Sequence, residues 1–162
     1  MVGTSTYSAK LKAPFGVLGI RTEMGAIAGI EYLPAGERTL APTDAIAERA
    51  CRQLERYLAD PQFCFTVPLA PKGTAFRRRV WDALTTIPVG ESRTYGEMAR
   101  KLATAPRAVG GACGANPIAL VIPCHRVVGS QGALGGFMGA TEGDPISIKR
   151  WLLTHEGYRF GR

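Results

Sequence analysis

The sequence predicts a two-part chain, an α/β domain over residues 1–70 followed by a mainly α domain over residues 71–162. Three observations lead there. Glycine alternates with apolar residues through the first thirty-odd positions, as in short strands joined by tight turns. Residues 68–73 hold two prolines and a glycine and read as a linker. Charge is divided unevenly: seven Lys/Arg against seven Asp/Glu up to residue 70, then thirteen against six, so the whole net charge of +7 lies in the second part.

The elements follow in order. Phe15-Gly16-Val17-Leu18-Gly19-Ile20 and Gly25-Ala26-Ile27-Ala28-Gly29-Ile30 read as strands. A helix is expected over 43–59, with Ile46, Ala50, Leu54, Tyr57 and Leu58 on its apolar stripe and Asp60-Pro61 ending it. Residues 63–67 are expected to form a further strand. Thr74 then caps a helix to about Thr86, with Phe76, Val80, Trp81 and Leu84 on one face and Arg77, Arg78 and Arg79 fanning round it. After the Pro88-Val89-Gly90 turn a helix starts near Thr94, with Tyr95, Met98, Ala99 and Leu102 on one side. The next helix, over 106–115, has Pro106 in its first turn and is built mostly of Ala and Gly.

That composition costs helix propensity, and close approach to another backbone is what would offset it. Two short helices joined by a short turn, the second slim with Arg107 near its start, match a helix-turn-helix. Two packed core helices would look the same. The basic second part moves the balance toward a polyanion-binding surface.

Residues 118–122 read as a buried strand between two prolines, followed at once by Cys124-His125-Arg126. A glycine-rich loop then runs to a last helix that begins at Asp144-Pro145, with Ile148, Trp151, Leu152 and His155 as its apolar face and Gly157 as its stop.

Composition excludes several classes. Hydrophobic residues at 46% and charged residues at 20% argue against disorder. No apolar run approaches the roughly 18 residues that a membrane span requires, so no membrane partner is expected. Residues 1–9 lack the charged start and apolar core of a secretory signal, which makes the cytoplasm the expected location. Four cysteines with no CxxC spacing, and only two histidines, leave little from which to build a zinc site. Reduced thiols are expected, with Cys51, Cys64 and Cys113 structural.

Cys124 is different. A thiolate is the nucleophile, and forming one near neutral pH takes a base or a nearby positive charge. His125 and Arg126 adjoin it. Adjacent residues of an extended chain face opposite ways, so a bridging water would carry the proton to His125. Glu91, Glu97, Glu142 and Glu156 are all candidates to orient the imidazole, and spacing does not choose between them.

Ile122-Pro123-Cys124-His125-Arg126-Val127-Val128 resembles the active-site signature of the O6-alkylguanine-DNA alkyltransferases. The resemblance extends through Gly73-Thr74-Ala75-Phe76, Val80-Trp81, Ile87-Pro88, Tyr95-Gly96-Glu97, Arg107-Ala108-Val109-Gly110, Asn116-Pro117 and Trp151-Leu152-Leu153 with His155-Glu156-Gly157. It implies a ribonuclease-H-like N-terminal domain and a winged-helix-like C-terminal domain carrying the helix-turn-helix. It also implies a suicidal methyltransferase that moves the alkyl group of O6-alkylguanine, with O4-alkylthymine left open, from double-stranded DNA onto Cys124 once, with base flipping and no cofactor or metal.

Further roles come with it. His125 would be the base through a water, oriented by Glu156. Tyr95 would protonate the leaving base, and Asn116 would tie the slim helix to the reactive turn. Arg107 would enter the duplex, Ala108, Gly110 and Gly111 would allow close approach, and Arg126 would join the DNA contacts. Val127, Ser130 and Phe137 would line the substrate pocket. The protein would act as a monomer, with cooperative binding on DNA left open. Against the family pattern the chain is about two residues shorter between Tyr95 and Arg107, and about five longer between Phe137 and Trp151, where residues 141–145 are the extra piece. Two rival readings fit less well: a damage-binding protein with an unreactive Cys124, and a cysteine hydrolase that turns over.

Overall fold

A computed structural model of the chain describes residues 7–137 and 144–160. It divides into two compact units, Met1–Lys72 with Pro117–Ala119, and Gly73–Asn116 with Leu120–Arg162.

The first unit is an antiparallel meander, β1 (Ala9–Ala13), β2 (Gly16–Glu23) and β3 (Ala26–Leu33), in that spatial order. Met24 and Gly25 both have positive φ, +50° and +80°, as a two-residue turn matching the strand twist requires. The open edge of β1 is covered by Leu40, which exchanges both backbone hydrogen bonds with Lys10. Helix α1 (Ala45–Ala59) is capped by Asp44, whose carboxylate accepts from the Ala47 amide at 2.8 Å. Thr43 therefore lies outside it. Ala47, Ala50, Cys51, Leu54 and Tyr57 are its buried residues, and the helix packs on the sheet.

Two expected strands are absent. Over residues 63–67 the Gln53 side-chain carbonyl accepts from the Thr66 and Val67 amides, at 2.9 and 3.2 Å, so a side chain does the work of a neighbouring strand. Cys64 is exposed there, not a buried structural thiol. Over residues 118–122 only Ile118 bridges, to Ile30, and a turn follows in which Leu120 has φ +73°. The apolar run is buried without being extended.

The second unit begins with α2 (Ala75–Leu84), capped by Thr74, whose hydroxyl accepts from the Arg77 amide. The two-residue strand β4 (Arg93–Thr94) leads into α3 (Tyr95–Leu102), which starts with a reciprocal cap between Thr94 and Glu97. Residues 103–105 turn the chain into α4 (Pro106–Gly114). Strand β5 (Val127–Val128) pairs in parallel with β4, and α5 (Asp144–His155) closes the unit. Val80, Trp81, Leu84, Met98, Val109 and Leu152 form its core, and the Trp81 indole donates to the Ala112 carbonyl at 2.8 Å.

The buried face of α5 differs from the expected stripe. Leu152 is buried as expected, but its buried companions are Lys149 and Leu153, with Glu156 just past the helix end, while Ile148, Trp151 and His155 are half-exposed. Two charged residues on the inner face make that side read as polar. Among the described residues no helix is long and apolar enough to cross a membrane.

Candidate active site

Cys124 opens a short 3₁₀ turn, Cys124–Arg126, fixed by hydrogen bonds from the Cys124 amide to Ile122 O (2.8 Å) and from the Arg126 amide to Pro123 O (3.0 Å). The chain is thus helical here where an extended segment was expected. Both Cys124 and His125 are buried. Asn116, just past the end of α4, donates from Nδ2 to Ile122 O at 2.9 Å and to Cys124 Sγ at 3.3 Å, so one amide ties helix, turn and thiol together. Burial pushes the Cys124 thiol above its ordinary value, and the Asn116 hydrogen bond and the Lys149 charge offset only part of that. The resting group is a thiol and needs a base.

His125 is placed to be one. Its Nε2 lies 2.8 Å from Glu156 Oε2. Arg126 grips the same carboxylate with Nε (2.8 Å) and Nη2 (3.0 Å), while its Nη1 donates to Ile87 O at 2.7 Å. Burial alone would raise the Glu156 carboxyl, but the hydrogen bond from His125, then the hydrogen bonds and charge of Arg126, hold it well below the usual carboxylate range. An ionised Glu156 only accepts, so Nε2 carries the proton and Nδ1 presents a lone pair. Nδ1 is buried and has no hydrogen-bond partner among the described residues. Burial, the largest influence, lowers the His125 pKa despite Glu156, which keeps the ring neutral. Glu91 instead pairs with Arg93, Glu97 caps α3, and Glu142 lies outside the described residues. Gly90 allows the approach: at φ +83°, a Cβ there would stand 3.1 Å from Glu156 O.

Beside the thiol lie Tyr95, Phe137 and a residue that the sequence reading missed, Lys149. Its ammonium is fully buried and donates to Val127 O (2.7 Å) and Gly136 O (2.8 Å). It stands 5.8 Å from the Tyr95 ring centroid and 5.9 Å from that of Phe137. Burial lowers its pKa to about 8, with the Cys124 and Cys113 thiols pulling the other way. Its sequence signal was the spacing of 149, 152, 153 and 156 on one helix face. Tyr95 donates to Gly136 O at 3.1 Å, and burial, then Cys113 and Cys124, push its phenol above the ordinary value. Gly135, at φ +76°, leaves 3.0 Å between its would-be Cβ and the Tyr95 ring. Val127 and Phe137 are buried, Ser130 exposed. Of the extra residues 141–145, residues 141–143 lie outside the described ones and Asp144-Pro145 open α5.

On α4, Arg107 and Gly111 are exposed, and a Cβ on Gly111 would meet nothing within 4 Å. Ala108 and Gly110 are half-buried. Arg126, named among the DNA contacts, is bound within the protein. With 11% of its side chain exposed and three bonds inside the protein, it serves as a clamp on Glu156.

Residues 75–158 match the family model described as 6-O-methylguanine DNA methyltransferase, DNA binding domain. A methylated-DNA–protein-cysteine methyltransferase of Methanosarcina acetivorans is 37% identical over 158 residues, covering 93% of this chain and 98% of that one. Among solved structures, the O6-methylguanine methyltransferase of Mycobacterium tuberculosis is similar with a TM-score of 0.75 and 39% identity, covering 91% of this chain and 90% of that one. A complex of Mycobacterium tuberculosis OGT with DNA gives a TM-score of 0.76 at the same identity and coverage. The mixed α/β fold is shared with these structures.

Proposed function

The chain belongs to the 6-O-methylguanine DNA methyltransferase family, and from that membership we propose that it repairs DNA by direct reversal, taking the alkyl group of O6-alkylguanine onto its own Cys124. The observation that carries the reading is the connected set Asn116–Cys124 and His125–Glu156–Arg126, with His125 Nδ1 left open as a base.

The Cys124 proton passes to His125 Nδ1 through a bridging water, and Glu156 stabilises the imidazolium that forms. Sγ attacks the alkyl carbon, the carbon–O6 bond breaks, and its electron pair leaves with the guanine. The Tyr95 hydroxyl gives a proton to N3 of the departing base, and the proton taken up by His125 returns through water to the Tyr95 phenolate, so thiol and alkylguanine become thioether and guanine with no net change of charge. A thioether is inert in the cell, so the protein acts once and needs no cofactor.

The O6 atom lies inside the duplex, so the nucleotide must be flipped. Arg107 fills the gap it leaves, and Ala108, Gly110 and Gly111 let α4 approach the minor groove closely. Val127 and Ser130 contact the extruded base by their backbone, and Phe137 walls the alkyl pocket. O4-alkylthymine is a second substrate to test.

The same reading takes the three-stranded sheet with α1 as part of a ribonuclease-H-like domain over residues 1–70. Residues 71–162, with α3, α4 and the β4·β5 pair, are read as winged-helix-like. It also takes the protein as a cytoplasmic monomer, with cooperative binding on DNA to be tested. Intact mass after incubation with a duplex containing one O6-methylguanine tests it. The native protein should gain one CH₂ and Cys124→Ala none. Tight binding with no gain would make the protein a damage binder, and repeated turnover without DNA a hydrolase.

A further inference from the structure

The turn between α3 and α4 has three residues, and α3 ends on Ala103 at φ 54° and ψ 50°, a left-handed conformation for a residue with a Cβ. The Thr104 amide reaches back to Ala99 O at 2.9 Å and the Ala103 amide to Arg100 O at 3.3 Å. These bonds satisfy two of the carbonyls that a helix end leaves open. α4 begins at Pro106 with no side-chain hydrogen bond at its cap, Ala105. A tight turn therefore delivers the exposed Arg107 without a cap of its own at the start of α4.

A side chain from α2 supplies a fastening. Arg79 donates from Nη2 to Leu102 O, a further carbonyl at the α3 terminus, and its guanidinium lies 5.9 Å from the Phe76 ring centroid. A cation at that position also complements the negative end of the helix dipole. Two residues on, the Trp81 indole holds Ala112 O in α4. Helix α2 thus grips both helices of the pair, one through a polar side chain on its exposed face and one through the core.

We propose that Arg79 is a positioning residue for DNA docking, acting through the α3 terminus to hold the short turn and hence the direction in which α4 presents Arg107. The inference rests on the proposed DNA reaction but not on the alkyl transfer itself. Arg77 and Arg78, equally exposed on α2, are expected to contribute charge only.

Arg79→Met keeps the stem and its contact with Phe76 while removing the donor, and Arg79→Lys keeps a cationic donor. Binding of each full-length variant to an undamaged duplex is measured by fluorescence anisotropy over a salt series. The single-turnover methyl-transfer rate at saturating O6-methylguanine duplex is measured beside it. The expected result for Arg79→Met is about tenfold weaker binding at every salt concentration, the loss of one charge-assisted hydrogen bond. The slope of log affinity against log salt stays at the native value, and the saturated rate stays within about twofold. Arg79→Lys recovers most of the affinity.

Unchanged binding by Arg79→Met would overturn the proposal. So would a loss in both variants accompanied by a slope shallower by about one, which marks a direct phosphate contact. If Arg79→Met does not fold, Arg79→Gln decides: weaker binding at the native slope supports the clasp, and unchanged binding or a slope shallower by about one refutes it. Failure of the native protein to take up methyl while still binding duplex would count against the proposed function and leave the clasp to be judged by anisotropy.

Discussion

The two units treat charge in opposite ways. In the first, the ion pairs Lys10–Glu37, Arg21–Glu31, Arg52–Glu48 and Lys72–Glu23 sit at least partly in solvent, over a core of Ala, Val, Leu and Ile with Tyr57. In the second, His125, Lys149 and Glu156 are buried. Taking a charge out of water costs several kcal/mol, and a fold bears that cost only where hydrogen bonds and an opposite charge return most of it. Glu156 has both, in His125 and Arg126, whereas Lys149 has hydrogen bonds to two carbonyls and its pKa falls to about 8 by burial. The contrast separates a unit whose charges decorate a surface from one whose charges are arranged around a thiol.

The largest break in that contrast should come from Glu156→Gln. It leaves Arg126 largely buried without its counter-ion and removes the group that fixes the His125 tautomer. Stability should fall by about 3 kcal/mol in urea titration, and methyl transfer at saturating DNA should slow by about 10². Unchanged stability would mean that the clamp is not formed in solution.

Lys149→Met comes next. The long stem is replaced, but the hydrogen bonds to Val127 O and Gly136 O are lost, Gly136 O keeping only the Tyr95 hydroxyl, and each such loss inside a protein costs about 1 kcal/mol or more. A fall of about 2 kcal/mol is expected. The Cys124 thiol should also rise further once the neighbouring cation is gone, which a thiol-reactivity titration against pH would register. No upward movement would show that Lys149 does not act on the thiol.

The pH dependence sharpens the comparison without mutation. Folding lowers the pKa of His125, mainly through burial, and that of Glu156, through His125 and Arg126. For both groups the unfolded chain therefore binds more protons, so stability declines as pH falls. The decline should begin near the unfolded histidine value of about 6.5 and continue through the unfolded glutamate value of about 4.3. Thermal midpoints should follow that course, with the lower limb much reduced in Glu156→Gln. A midpoint that rose on acidification would contradict the assignment. At the small end, Arg52→Ala in the first unit removes a solvent-exposed pair and should change stability by no more than about 0.5 kcal/mol.

The same contrast explains what the sequence made legible. Helix starts were readable in part: Thr74 is a local cap signal whose helix start is observed, α3 begins beside Thr94 as expected, and α1 begins after its Asp44 cap and not at 43. Cys124 with His125 was readable because nucleophile and base adjoin in the chain. Residues 63–67 were misread because Gln53, ten or more positions earlier, supplies their partner. Residues 118–122 were misread because burial and extension are separate properties, and Leu120 turns left-handed while remaining buried. Lys149 was missed for the reason that makes it informative. A charged residue on a helix counts as outward-facing until the groups that pay for its burial, here two loop carbonyls, are known.

Cys124 as the acceptor is put to the test by a site-mapped methyl transfer. The protein is incubated with a duplex carrying one O6-methylguanine, digested, and its four cysteines are read by tandem mass spectrometry. The expected result is one methyl per molecule, on Cys124 alone, with Cys51, Cys64 and Cys113 unmodified. Methyl on any other cysteine, or demethylated DNA in excess of protein, would contradict it.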